Sequence, residues 1–108
     1  MEDIKQYDLV LVNLDPTVGS EMKKIRTCVV ISPNEMNRYL QTIVVAPITS
    51  SSKAYPTRVK INLISTQGFI VLDQVRTLYR TRIIKKLESL GTAEIKKVKA
   101  IIKETFVD

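Results

Sequence analysis

The chain alternates short apolar runs of strand length with turn-forming residues, then ends in a segment of helical period. "DLVLVNL" (Asp8–Leu14) is rich in Leu and Val and stops at Asp15-Pro16, which predicts a first strand. "RTCVVIS" (Arg26–Ser32) predicts a second, ended by "PNEMN", whose Pro and two Asn are turn formers. "TIVVAPI" (Thr42–Ile48) predicts a third. In "TRVKINL" (Thr57–Leu63), Val59, Ile61 and Leu63 alternate with Arg58, Lys60 and Asn62, so one face of a fourth strand meets water. "GFIVLDQVRTL" (Gly68–Leu78) predicts one long fifth strand, apolar on both faces at its start and therefore crossing the core. From Thr92 to Phe106 the period changes: Ile95, Val98, Ile101, Ile102 and Phe106 recur at three and four, with Thr92 as N-cap and Glu94 in the first turn. That is an amphipathic helix. "TRIIKKLESLG" (Thr81–Gly91) fits a helix face through Ile83, Ile84, Leu87 and Leu90, or a short element closed by Gly91, and its type stays open. Five strands without crossover helices predict a mainly β fold, a small, strongly bent antiparallel barrel.

Length and composition add bounds to this picture. A chain of 108 residues is expected to form a single domain, residues 1–108, around one modest core. The excess of 17 Lys+Arg over 11 Asp+Glu gives +6, which favours polyanionic partners such as nucleic acid or an acidic peptide. Lys96, Lys97, Lys99 and Lys103 fall together near the end and read as the solvated face of the helix. The lone cysteine, Cys28, permits no intrachain disulfide, and "TCVVIS" places it as a small buried apolar residue. No apolar run approaches the roughly 18 residues of a membrane span, and "MEDIKQYD" has neither a basic start nor an apolar stretch. A cytoplasmic location without membrane contact is the expectation.

Several chemistries are excluded by residue type. The chain has no histidine, which removes His-based triads; one cysteine and carboxylates without ligand spacing remove structural zinc. Gly19, Gly68 and Gly91 are the only glycines, too few for a phosphate-cradling loop. No cofactor or metal is expected. Three polar clusters remain. The first is the loop Gly19, Ser20, Glu21, Lys23, Lys24, leading to Arg26 where the second strand opens; composition alone would make Arg26 an ordinary surface cation. The second is the hydroxyl run Thr49–Ser52, and the third is Asp73, Gln74 and Arg76 within the long strand. Period two puts Gln74 and Arg76 on one face and Asp73 on the other, where a structural hydrogen-bond network is as good an explanation as a site.

In combination, "DLVLVNLDPTVGSE", an Arg opening a Val-rich strand, "VVAPITS", "YPTRV" and "VLDQVRTL" resemble the MazF/PemK family of toxin endoribonucleases, from about Tyr7 to Arg82. The resemblance implies an SH3-like β-barrel of the MazF/PemK/CcdB type with a C-terminal α-helix. It also implies a homodimer that cleaves single-stranded mRNA and is held by a cognate antitoxin with an acidic extended C-terminal segment. By the same likeness Arg26 and Thr49 are the catalytic pair. Gly19, Ser20, Glu21, Ser50, Asp73 and Gln74 would bind RNA, with Asp73 open between base, base-edge acceptor and anchor for Arg26. Cleavage at a short motif, without metal, would leave a cyclic phosphate or 3′-phosphate. Tyr7 stands where the family commonly has Gly, Thr27 where Arg-Pro is common, and "MKKI" follows Glu21 in place of the family's Gly. Such chemistry needs no histidine, because RNA supplies its own 2′-hydroxyl nucleophile. A related toxin group of the same barrel that poisons DNA gyrase is the alternative, and a plain nucleic-acid-binding barrel is a third reading.

Overall fold

The computed structural model describes residues 3–14, 25–50 and 55–107. Gly19, Ser20, Glu21, Lys23 and Lys24 of the opening loop lie outside the described residues, as do Ser51 and Ser52. The elements are β1 (Asp8–Asn13), β2 (Ile25–Val30), α1 (Asn34–Tyr39), β3 (Thr42–Thr49), β4 (Arg58–Asn62), β5 (Gln67–Val71), β6 (Arg76–Tyr79), β7 (Ile83–Ser89) and α2 (Thr92–Phe106). Short 3-10 turns occupy Leu72–Gln74 and Arg80–Arg82.

Among the described residues seven antiparallel strands stand where five were expected. They run β4-β5-β3-β2-β1-β7, with β6 on the same side of β3 as β5. Among the described residues no pairing joins β4 to β7, so the sheet is open, not a closed barrel. The expected long strand is divided. Continued from Val45↔Arg76, the β3–β6 register would set Ile48 opposite Asp73, yet Ile48 faces Ile70. The three residues of difference are those of the turn Leu72–Gln74, which lifts Asp73 and Gln74 out of the ladder and voids their period-two face assignment. Leu72 stays fully buried there, its N–H donating to the Thr57 carbonyl at 3.1 Å.

"PNEMN" is also corrected, since Asn34–Tyr39 forms a short helix. Its Asn37 is buried, donates Nδ2 to the Ser32 carbonyl at 2.9 Å and hydrogen-bonds the Ser32 hydroxyl, which in turn accepts from Val44 N–H at 3.0 Å. Turn-forming residues thus serve as buried tethers. The open segment Thr81–Gly91 resolves into β7, and α2 keeps its expected bounds with one change. Its N-cap is Gly91, whose N–H donates to Glu94 Oε1 at 2.9 Å, so Thr92 is the first helical residue.

Strands β1 and β3 and the second half of β2, Cys28–Val30, are largely buried on both faces. One face places Leu9, Val29, Ala46 and Ile48 with Val59, Ile61, Ile70, Leu72 and Val98 of α2. The other places Val10, Val12, Cys28, Val30, Ile43 and Val45 with Ile4, Leu78 and Ile83. This is why their sequences read as unbroken apolar runs rather than as alternation. Lys96, Lys97, Lys99 and Lys103 are exposed, as the solvated helix face requires. Among the described residues no helix is long and apolar enough to cross a membrane.

Candidate active site

Arg26 and Thr49 sit at the open ends of adjacent antiparallel strands. The β2–β3 ladder pairs Cys28↔Pro47, Val29↔Ala46 and Val30↔Val45. Carried two positions towards the strand ends, that register sets Arg26 opposite Thr49 and puts both on the face that holds Cys28 and Val45. Both line one open cleft of about 340 Å³, with Ile25, Thr27, Ile48, Ser50, Thr66 and Gln67. Arg26 is exposed, and its Nη2 donates to the Ile48 carbonyl at 3.3 Å, which steadies the guanidinium beside Thr49. Sequence reasoning thus named two side chains that the fold brings together, and Ser50 joins them.

Further along the same face the strands are apolar and buried. Cys28 lies two residues inside Arg26 on the same face and is buried and free. Burial pushes its thiol up to about 11, against the opposing pull of the nearby Arg26 and Arg76 guanidinium groups. The group is therefore a neutral filler, as its setting in the sequence indicated. Among the described residues no cluster of three or more His, Cys, Asp or Glu is placed to hold a metal ion.

Asp73 and Gln74 do not line this cleft. Asp73 accepts from Thr57 Oγ1 at 2.8 Å and lies 3.8 Å from Arg58 Nε, and Arg58 stacks over the Tyr55 ring at 4.9 Å. The stretches "YPTRV" and "VLDQV" therefore meet in one polar knot. Among the described residues Asp73 meets Arg58 and not Arg26, which takes the anchoring role for Arg26 out of the resting structure. Gln74 is exposed in the same turn.

Four residues of the cleft region had been missed. Thr66 and Gln67 approach at the start of β5. Gly68 has φ +148°, and a Cβ placed there would stand 2.3 Å from the Thr49 carbonyl oxygen, so a glycine is what lets β5 press against the catalytic candidate's backbone. A lone Gly inside a strand pattern was the available signal for this close approach. Phe69, read as core, is half-buried and pairs directly with Thr49 across β3–β5.

This open antiparallel sheet with a basic residue and a hydroxyl at adjoining strand ends has a class: the model for the PemK-like, MazF-like toxins of type II toxin-antitoxin systems matches residues 5–106. The chain belongs to that family. It is 34% identical over 101 aligned positions to the endoribonuclease MazF of Staphylococcus saprophyticus, covering 88% of this chain and 84% of that protein. In fold it is similar to MazF in a MazE-MazF complex from Deinococcus radiodurans, with TM-score 0.83, 24% identity and 96% of each chain covered. It is also similar to an endoribonuclease in complex with its cognate antitoxin from a mycobacterial species, with TM-score 0.81, 17% identity, and 94% and 92% of the two chains covered.

Proposed function

We propose that the chain is a sequence-specific, metal-independent endoribonuclease that cuts single-stranded mRNA by attack of the 2′-hydroxyl on the adjacent phosphate. The observation that carries this reading is the convergence of Arg26 and Thr49 on one cleft and one sheet face. Arg26 offers planar, permanently charged donors matched to phosphate oxygens; its pKa makes it useless as a base, so its work is stabilising charge on the phosphorane-like transition state. Thr49 bonds the scissile phosphate or relays a proton. Ser50 positions RNA in the same cleft, and Gly19, Ser20 and Glu21 complete the contacts from the opening loop. Asp73 and Gln74, displaced from the cleft by the 3-10 turn, read an unstacked base edge further along the strand. The working form is a homodimer in the cytoplasm.

A cognate antitoxin supplies control. An acidic, extended segment that folds onto the basic cleft competes directly with RNA, so antitoxin and RNA exclude one another. The decisive experiment is cleavage of a long, melted RNA by the purified protein in EDTA, beside Arg26→Ala, with the fragment ends mapped. Cuts at one short motif that fall roughly 100- to 1,000-fold in Arg26→Ala support the assignment. Absence of cleavage by the folded wild-type protein removes it.

A further inference from the structure

The candidate catalytic pair is the start of a longer row. Thr49 pairs with Phe69 across β3–β5, and Phe69 pairs with Lys60 across β5–β4. Directly opposed residues share a face, so Arg26, Thr49, Phe69 and Lys60 stand in line across four strands. At about 4.8 Å per strand, Lys60 lies about 10 Å from Thr49. Phe69 is half-buried and packs into neither apolar cluster of the described residues, an unusual state for a Phe in mid-strand. Beside it Asn62 and Gln67 oppose each other on the same face, both exposed. These residues line a second open cleft of about 440 Å³, which shares Ser50 and Gln67 with the Arg26 cleft. The two clefts are one path.

We propose that this row is a flanking-nucleotide subsite. Phe69 stacks the base next to the scissile phosphate, Lys60 takes the phosphate beyond it, and the Asn62 and Gln67 amides face the base edge. The inference rests on the ribonuclease reading above. Its logic is that of single-strand binding in general: an aromatic face for a base and a cation within reach of the backbone. The apolar side chain is explained by it, because among the described residues neither apolar cluster takes in Phe69.

The test exploits a chain without tryptophan. Phe69→Trp introduces a single reporter, read while titrating a random-sequence RNA strand whose 2′-hydroxyls are all methylated, so that it binds without a nucleophile. Quenching of the Trp emission is expected. Phe69→Leu weakens binding about tenfold with Phe69→Tyr restoring it, and Lys60→Gln lowers the slope of log K against log salt by about 0.7. A merely structural role for Lys60 would leave that slope unmoved. Wild-type protein that cuts and binds RNA, together with an unquenched Trp and wild-type affinity and slope in the variants, overturns the subsite alone. Wild-type protein that neither binds nor cuts RNA overturns the ribonuclease reading, and the subsite with it.

Discussion

Gly68→Ala puts a methyl group between β5 and the backbone of Thr49. The added Cβ would stand 2.3 Å from the Thr49 carbonyl oxygen, whereas ordinary contact begins near 3.4 Å. The strands must part by about 1 Å, because the obstacle is backbone and not the end of a flexible side chain. A φ of +148° adds strain of order 1–3 kcal/mol for any L side chain, and overpacking contributes about 1–3 kcal/mol more. Against a total stability of about 5–15 kcal/mol, the variant is expected to fold with a clearly lowered denaturant midpoint. Activity should fall further than stability, since displacement of a catalytic group by about 1 Å costs about 100-fold in rate. Single-turnover RNA cleavage, corrected for the folded fraction, reads this second effect. Gly91→Ala is the control: its added Cβ would meet only the end of the Glu94 side chain, and a cost of about 1 kcal/mol or less is expected there with cleavage intact. Wild-type midpoint and rate in Gly68→Ala would refute the close-approach argument. A lowered midpoint with full activity would show that β5 does not set the position of Thr49.

Other perturbations test separate parts of the structure. Asp8 is 2% exposed and holds Ser89 Oγ at 2.6 Å, Lys5 N–H at 2.8 Å and Lys86 Nζ at 3.3 Å, so it ties β1 to β7. Asp8→Ala is expected to cost about 3 kcal/mol by denaturant unfolding with unchanged m, and a loss below about 1 kcal/mol would show the network to be dispensable. Tyr7 adopts φ +71°, which glycine tolerates and alanine does not. Tyr7→Gly should therefore be more stable than Tyr7→Ala by about 1 kcal/mol, the reverse of their usual order, and the usual order would contradict the strain. The Cys28 thiol, raised from 9.0 to about 11 by burial, makes the folded state hold its proton more tightly than the unfolded chain does. Its contribution is complete below pH 9 and lost as pH rises through 11, about 3 kcal/mol in all. The pH profile of stability for Cys28→Ala should be correspondingly flatter over that window, and superimposable profiles would count against it.

What the sequence disclosed depended on whether a feature was local. The bounds of α2 and the outward lysines follow from its period of three and four, which needs no knowledge of partners. β7 resisted because its pairing with β1 carries register shifts between Asp8 and Val10 and between Leu11 and Val12. The irregularities break the alternation, so Ile83 packs into one apolar cluster and Leu87 and Leu90 into the other, at spacings of four and three that imitate a helix face. The long fifth strand failed for a related reason: its halves do lie along one side of β3, but three residues of surplus chain escape as a turn. Arg26 and Thr49 were named through family likeness. Their juxtaposition is a matter of register between segments more than twenty residues apart, and no local pattern encodes it. Phe69 and Gly68 were passed over because an apolar residue beside a lone glycine reads as core until the opposing strand is known.

Under the proposed function a cation works without histidine, and the division of faces gives that a physical basis. On one face, β2 and β3 pass from sealed core at Cys28 and Val45 to open cleft at Arg26 and Thr49 within a few residues. In the proposed reaction a phosphate held by Arg26 would sit at the edge of that buried face, where a charge-assisted hydrogen bond is worth more than it is in bulk water. Burial outweighs the pull of the Arg26 and Arg76 guanidinium groups on the Cys28 thiol, so Cys28 sets no negative charge beside Arg26. A site of this kind supplies preorganised charge and position and leaves the nucleophile to the substrate, which restricts it to substrates that carry one beside the phosphate. RNA meets that condition and DNA does not.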